Sequence, residues 1–237
     1  YTIALNNVGS VSVNPALHKD AGYASDKDLM AVTMVTHIPI LLVVRADVPA
    51  KTPDDLIKLM RTNPKAVNFS TSGIGQSTHI GTVLLRSIAG TDTVIVPTRS
   101  SAQAQTELLA GSAQAMFATM TTLPMIQKGV LKALGIAGRE RSPLLPDVPT
   151  FYETTLPELD LTSWYVIQVP AATPRPVIDR LNAVFTQIMR RPEVRERFLG
   201  WNCLPAPTTP EEAQQFVAAE MVRWRDVIKR TGATATE

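Results

Sequence analysis

Small polar residues form three short stretches, each of which follows a predicted strand and precedes a predicted helix. Their hydroxyl, amide and backbone N–H groups suit hydrogen bonding with a small anion such as a carboxylate. In open α/β sheets, loops at the carboxyl ends of strands line the ligand crevice. Three such stretches in succession favour a binding site over simple helix capping. They span residues 6–12, 70–78 and 98–101.

Two side chains, one within these stretches and one directly after the second, offer more chemistry than a hydroxyl group. Arg99 has a guanidinium, which matches a carboxylate through two parallel hydrogen bonds. His79 lies near the start of a predicted helix, where a hydrogen bond to local backbone explains it as well as ligand contact does. The candidate ligand-binding residues in and directly after the three stretches are Asn7, Ser10, Ser12, Thr71, Ser72, Gly73, Gly75, Gln76, Ser77, His79, Thr98, Arg99 and Ser100.

The alternative to a binding protein is an enzyme that uses a loop serine. Such a hydrolase or transferase would use Ser72 or Ser77 with His79 as the base. The sequence lacks the G-x-S-x-G, H-E-x-x-H and P-loop motifs, however. Its single cysteine, Cys203, excludes an internal disulfide and a cysteine-rich metal site. We therefore expect a non-enzymatic protein with no metal and no cofactor; a third hypothesis is a degenerate or regulatory fragment that binds nothing alone.

The composition limits the classes of partner. Of the 237 residues, 45% are hydrophobic and 19% are charged, which is enough to form a substantial core. The 23 basic and 21 acidic residues leave a net charge of only +2, and no basic stripe interleaved with aromatic residues occurs, so we expect no nucleic acid partner. No apolar run approaches the ~20 residues that span a bilayer, so we expect no direct membrane insertion.

Short apolar strands alternate with helices over residues 67–137, which predicts an α/β fold with a largely parallel sheet. Residues 30–44 are predicted to form one or two buried strands split at Pro39, and residues 161–169 a long strand that crosses between domains. Thr52, followed by a proline, marks a helix N-terminus. Predicted helices span residues 53–61, 78–89, 102–109, 120–128 and 192–198, and two more begin near Pro174 and Thr209.

Several short motifs occur along the whole chain. Each is weak evidence for a family when taken alone, but their order along the chain is specific. With them the sequence resembles the Bug family, the periplasmic substrate-binding receptors of tripartite tricarboxylate transporters. The motifs are Asn14-Pro15-Ala16-Leu17, Val48-Pro49-Ala50-Lys51-Thr52, Phe69-Ser70-Thr71-Ser72-Gly73-Ile74-Gly75 with His79, Val96-Pro97, Ser142-Pro143-Leu144-Leu145-Pro146-Asp147-Val148-Pro149-Thr150, Thr162-Ser163-Trp164, Thr173-Pro174 and Pro192-Glu193-Val194-Arg195.

The resemblance implies a two-lobe α/β fold of the periplasmic binding protein type (type II), with the ligand held between the lobes. We expect lobe one at residues 1–45 plus 160–237, lobe two at residues 46–159, and hinge strands near Arg45 and Trp164. The implied function is an extracytoplasmic solute receptor that closes on a small carboxylate and delivers it to the membrane subunits of the transporter. The implied location is the periplasm, with the signal peptide either removed or not part of the given sequence.

The chain departs from the family pattern at three places. An aromatic-lysine-glycine run commonly follows the Val-Pro pair, whereas this chain has Thr98-Arg99-Ser100. Ala118 stands where many members have an aspartate that holds amine-bearing ligands, which argues against an amino acid ligand; we include Ala118 among the candidate ligand-binding residues. The family's first strand and its ligand-binding loop precede Tyr1, so we expect the first lobe to be incomplete at its N-terminus.

Overall fold

The computed structural model describes residues 2–18, 21–201 and 203–234. Its internal contacts divide the chain into two compact units. The first unit comprises the described parts of Tyr1–Ile38 and Ser163–Ala235, and the second comprises Pro39–Thr162. The chain therefore passes from one unit to the other at Ile38–Pro39 and returns at Thr162–Ser163.

Strands and helices alternate through most of the described chain. The strands are β1 Ala4–Asn7, β2 Leu29–Ile38, β3 Ile40–Arg45, β4 Phe69–Thr71, β5 Ile95–Pro97, β6 Ala115–Ala118, β7 Leu131–Ala137, β8 Ser163–Pro170 and β9 Leu204–Pro205. The α-helices are α1 Asn14–Leu17, α2 Ser25–Asp28, α3 Pro53–Thr62, α4 Ser77–Ala89, α5 Ser101–Ala110, α6 Leu123–Gln127, α7 Arg175–Met189, α8 Pro192–Gly200 and α9 Pro210–Thr231. None of the helices described has both the length and the apolar character that a membrane crossing requires.

An antiparallel sheet in the order β1-β8-β2-β9 forms the centre of the first unit. Neighbouring side chains of β8 point to opposite faces of this sheet, and both faces are covered by helices. On one face, Ile167 and Val169 pack with Ile178 of α7. On the other face, Trp164 donates a hydrogen bond from Nε1 to Glu220 of α9 at 2.8 Å. Trp164 is therefore a core residue of the first unit.

The second unit contains a mixed sheet in the order β5-β4-β6-β3-β7. Strands β4, β5 and β6 run parallel, whereas β3 is antiparallel to both β6 and β7. The strands of the repeating region, β4 to β7, therefore share one direction. Leu41 and Val43 of β3 pack with Leu108 of α5 and Met116 of β6 in a buried core. Arg45, the last residue of β3, lies within this unit.

Two local predictions are confirmed in atomic detail. Strand β2 ends at Ile38 and β3 begins at Ile40, so Pro39 splits the apolar run as expected. At the start of α3, the Thr52 hydroxyl accepts from the Asp55 N–H at 3.1 Å, and the Asp55 carboxylate accepts from the Thr52 N–H at 3.0 Å. This reciprocal pair is a capping box, which satisfies two N–H groups that the helix leaves free.

Three features differ from the sequence-based expectation. Residues 6–12 do not form a loop: β1 extends to Asn7, and Gly9–Val13 is a π-helical turn in which the Asn14 N–H donates to the Gly9 carbonyl. The helix predicted over residues 120–128 is a 3₁₀ turn at Met120–Thr122 followed by α6, whose first turn contains a proline. The strands within residues 67–137 share one direction, as predicted, but β3 lies antiparallel between β6 and β7, so the sheet of the second unit is mixed. The strand predicted before the first polar stretch is β1, and Tyr1 lies outside the described residues.

Candidate functional site

The carboxyl ends of three parallel strands meet at one edge of the second unit's sheet. The strands β5, β4 and β6 are neighbours in that order, and Thr71 at the end of β4 pairs with Pro97 at the end of β5. Strand β6 ends at Ala118 on the other side of β4. The structure therefore brings the 70–78 and 98–101 stretches to one edge. Ala118 ends the neighbouring strand, but it pairs with Leu41 and belongs to the buried hydrophobic core.

Thr98 binds the end of β4 to the loop that follows β5. Its N–H donates to the Thr71 carbonyl at 3.0 Å, and its hydroxyl lies 2.9 Å from the same oxygen and 2.8 Å from the Ser100 carbonyl. The Thr71 side chain is fully buried, yet its hydroxyl has no hydrogen-bond partner within the described part of the chain. Burying a hydroxyl without a hydrogen-bond partner costs free energy unless a ligand or a water molecule supplies that partner.

A pair of hydroxyl groups holds the loop after β4 against the first turn of α4. The Ser72 and Thr78 oxygens lie 2.7 Å apart, and the Thr78 hydroxyl also accepts from the Ser72 N–H at 3.1 Å. Gly73 has φ +129, and a Cβ there would lie 3.4 Å from the Thr98 carbonyl oxygen. Gly75 has φ +77. These backbone conformations strongly favour glycine, so both loop glycines are required by shape.

The N-terminus of α4 has no side-chain cap. Gln76 occupies the N-cap position, and its side chain accepts no hydrogen bond from the first turn. Among the described residues, the N–H groups of Ser77 and Thr78 find no acceptor, whereas those of His79 and Ile80 both donate to the Gln76 carbonyl. Free N–H groups and the helix dipole together suit an anion at this position. The buried Thr71 hydroxyl belongs to the strand that leads into this loop.

His79 is completely buried in α4. Its Nδ1 accepts a long hydrogen bond, 3.5 Å, from the Gly75 N–H, while the Ser72 hydroxyl is engaged with Thr78. The imidazole therefore helps to hold the glycine-containing loop in place.

Arg99 and Ser100 lie on the surface beside this edge. The Ser100 hydroxyl caps α5 by accepting from the Gln103 N–H at 3.2 Å, and the Gln103 side chain accepts from the Arg99 N–H at 3.1 Å. Within the described residues, the Arg99 guanidinium makes no ion pair, so its charge is available to a ligand.

The remaining candidates belong to the first unit. Asn7 and Ser10 bind each other: the Asn7 N–H donates to the Ser10 hydroxyl at 3.1 Å, and the Ser10 N–H donates to Asn7 Oδ1 at 3.1 Å. This pair shapes the turn from β1 into the π-helical segment. Ser12 is buried, and its hydroxyl has no partner within the described chain.

Sequence reasoning missed two contributors to the edge. Thr78 was within a candidate stretch but was not selected, although it holds both the N–H and the hydroxyl of Ser72. Thr119 follows Ala118 at the end of β6, and its hydroxyl lies 2.9 Å from that of Thr121. A run of threonines directly after a predicted strand was the available signal.

The first unit also contains a cavity of about 430 Å³ beside the N-termini of α7 and α9. Arg175, which lines it, binds Asp179 at 2.7 Å and Glu211 at 2.6 Å. Because two carboxylates already neutralise this arginine, the cavity is poorly suited to another anion. Across the described residues, no group of three or more histidine, cysteine, aspartate or glutamate side chains is arranged to hold a metal ion.

The fold and the edge of polar loops define a solute-binding protein. Residues 1–233 match the model of the tripartite tricarboxylate transporter family receptor. The chain belongs to this family, and the resemblance seen in the sequence motifs is confirmed.

Curated relatives cover nearly all of the chain. A protein encoded in the tcbD-tcbE intergenic region of Pseudomonas sp. strain P51 is 32% identical over 96% of this chain and 68% of its own length. BugT of Bordetella pertussis is 30% identical over 98% of this chain and 72% of its own length. Members of this family are receptors rather than enzymes, so the hydrolase or transferase alternative is not supported.

Solved structures support the same assignment. The periplasmic binding protein BugD is 26% identical, with a TM-score of 0.87 over 99% of this chain and 79% of its own. Rpa4515 of R. palustris with adipate is 25% identical, with a TM-score of 0.88 over the same shares. MatC of Rhodopseudomonas palustris with bound malate is 28% identical, with a TM-score of 0.85 over 96% of this chain and 79% of its own. The chain thus has the fold of periplasmic binding proteins.

Proposed function

We propose that this receptor holds a small carboxylate at the carboxyl edge of β4 and β5. One observation carries the proposal: the fully buried Thr71 hydroxyl lacks a partner in the described chain and precedes the uncapped N-terminus of α4. A ligand carboxylate oxygen would accept from that hydroxyl and from the free N–H groups of Ser77 and Thr78.

A carboxylate is favoured over water at this edge of the sheet. Leaving one buried polar group without a partner costs about 1–3 kcal/mol, and a ligand oxygen that satisfies it recovers that free energy on binding. The uncapped first turn adds a favourable interaction with negative charge. A neutral ligand would gain only the hydrogen bonds, so charge sets the preference for the acid.

A dicarboxylate fits this edge best. Proteins with 25% and 28% identity were solved with adipate and with malate, each of which has two carboxylates. In this chain, one carboxylate would occupy the α4 N-terminus, and the Arg99 guanidinium would bind the second. Ala118, which is only 3% exposed, has no charged group to bind an ammonium group, which disfavours amino acids.

The remaining parts of the account stay predictions. We place the receptor in the periplasm, as its structural relative BugD is described, and infer delivery of the ligand to the membrane subunits of a tripartite transporter. The two lobes and their closure on the ligand remain expected, as do ligand contacts from Asn7, Ser10 and Ser12 of the first unit.

The test is a thermal-shift screen against aliphatic and aromatic mono-, di- and tricarboxylates, with malamide and adipamide as uncharged controls. A ligand present at a hundred times its dissociation constant should stabilise the folded state by roughly 2.7 kcal/mol. A shift with dicarboxylates and none with the amides supports the proposal. Equal shifts with acids and amides, or none with any acid, refute it.

A further inference from the structure

The chain crosses between the two units at Ile38–Pro39 and again at Thr162–Ser163. In the first unit, one residue beside each crossing packs against α9. His37 precedes the first crossing and pairs with Trp164, which follows the second crossing. Phe216 of α9 packs edge-on against both rings, with centroids 5.1 Å from His37 and 5.5 Å from Trp164. Helix α9 therefore contacts β2 just before the chain leaves the unit and β8 just after the chain returns to it.

Glu220, one helical turn after Phe216, adds a hydrogen bond that fixes the orientation of the Trp164 indole against α9. Its side chain is buried and accepts hydrogen bonds from Trp164 Nε1 at 2.8 Å and from Trp224 Nε1 at 3.0 Å. The Arg223 guanidinium donates to the same carboxylate at 2.6 and 3.0 Å. A buried carboxylate with four donors has little freedom to rotate, so it offers the Trp164 indole a fixed acceptor.

In the second unit, the residues beside both crossings are held by one residue of β7, Ala137. Ile40, the first residue of β3, pairs with Ala137. The Thr162 hydroxyl lies 3.1 Å from the Ala137 carbonyl oxygen. Between these two anchors the first crossing consists of Ile38 and Pro39, and a proline has no N–H with which to join a sheet.

We propose that Glu220 is a positioning residue for ligand-linked closure. It fixes Trp164 to α9, so bending is confined to Ile38–Pro39 and to the Thr162–Ser163 peptide. The inference rests on the proposed function, because closure on a carboxylate is part of that function. Its consequence is that Trp164, Trp224 and α9 move as one body.

A matched pair of variants isolates the anchor. Trp164→Phe removes the hydrogen bond between the crossing strand and Glu220, whereas Trp224→Phe removes a bond from a residue of α9 to the same carboxylate. We expect W164F to speed malate or adipate dissociation at least fivefold and to reduce the ligand-induced decrease in radius of gyration, measured by small-angle scattering. W224F leaves the bonds from Trp164 and Arg223 to Glu220 in place, so it should change both quantities much less. Equal effects of the two variants would mean a merely structural role and would overturn the proposal.

A second readout keeps the test separate from the proposed function. In unliganded protein, W164F should accelerate amide hydrogen exchange at residues 36–38 and 163–165, and W224F should leave these amides unchanged. This comparison needs no ligand, so it tests the anchor even if wild-type protein binds no carboxylate. Unchanged exchange at these residues in W164F would overturn the anchor.

Tryptophan emission gives a direct check on the moving body. Trp201 is 64% exposed, so the Trp201→Phe background leaves only Trp164 and Trp224, both bound to Glu220. Saturating malate or adipate should leave their emission maximum unchanged while the radius of gyration falls. A ligand-dependent shift of this emission would contradict a fixed anchor.

Discussion

The hydroxyl oxygens of Ser72 and Thr78 lie 2.7 Å apart, and this contact holds the loop after β4 against the first turn of α4. Thr78→Val removes that bond and the acceptor of the Ser72 N–H. We expect a loss of about 1 kcal/mol in the free energy of unfolding, together with weaker carboxylate binding. Urea unfolding and calorimetric titration measure the two effects.

Thr78→Ser retains the hydroxyl and should restore both properties. Thr82→Val is a matched control on the same helix, since it removes a buried hydroxyl that, among the described residues, donates to the Thr78 carbonyl alone. If T82V weakens carboxylate binding as much as T78V does, the loop contact is not the cause.

Thr71→Val should separate stability from binding. Valine has nearly the shape of threonine, and it removes a buried hydroxyl without a partner in the described chain, so the unliganded protein should be as stable or more stable. Affinity for malate or adipate should fall by about tenfold or more, since one buried hydrogen bond to a charged group is worth ~1.5–3 kcal/mol. Thr93→Val, at another buried threonine of the second unit, is the control and should leave affinity unchanged. Unaltered binding by T71V would remove Thr71 from the site.

Arg99→Gln tests the second carboxylate. The loss of an exposed guanidinium should weaken dicarboxylate binding several-fold and leave monocarboxylates almost unaffected, because only the dicarboxylate has a second charge to place. Titration of the variant with paired mono- and diacids of equal chain length measures the difference. Arg180→Gln, an exposed arginine of α7, serves as the control. Equal weakening for both acid classes would exclude this role.

The Arg141–Glu153 pair predicts an acid-sensitive contribution to stability. The Arg141 guanidinium, with the Thr150 N–H, lowers the pKa of Glu153 from 4.5 to about 2. The folded state favours the ionised carboxylate, so its contribution is complete above pH 4.5 and is lost as the pH falls through about 2. Glu153→Gln should therefore lower the melting temperature at neutral pH, and the difference from wild type should vanish near the lower value.

Salt should reduce this difference, since the pair is exposed. Glu158→Gln replaces an exposed glutamate of the same unit that makes no ion pair with the described residues, and it should leave the melting temperature at neutral pH nearly unchanged. If the difference in melting temperature between E153Q and wild type stays constant across the acid range, the lowered pKa of Glu153 is not its source.

Local chemistry explains which features were predictable from the sequence. Pro39 splits a strand because it lacks an N–H, and the Thr52–Asp55 capping box depends on residues three apart. The reversed direction of β3 depends on its position between β6 and β7, which no short pattern encodes. The π-helical turn at Gly9–Val13 was equally inaccessible, because it depends on a bond between Asn14 and Gly9 rather than on an amphipathic period.

The candidate site also combines features that local sequence predicts with features that depend on the folded arrangement. Small polar residues after strands predicted the edge, since parallel strands place their carboxyl ends together. The importance of Thr78 and the lack of a partner for Thr71 depend on distances across the loop, which spacing alone does not give. His79 was left open between ligand contact and local structure, and its contact with Gly75 supports the structural role.

The central claim is that a carboxylate binds at the N-terminus of α4, and the amide resonances of isotope-labelled protein test it most directly. On addition of malate or adipate, we predict the largest chemical-shift changes at the N–H groups of residues 72–78 and 98–100, with Ser77 and Thr78 moving downfield as they donate to the anion. Malamide and adipamide should leave these resonances in place. Shifts centred instead on the residues that line the 430 Å³ cavity beside α7, such as Met30 and Gln214, would contradict the account.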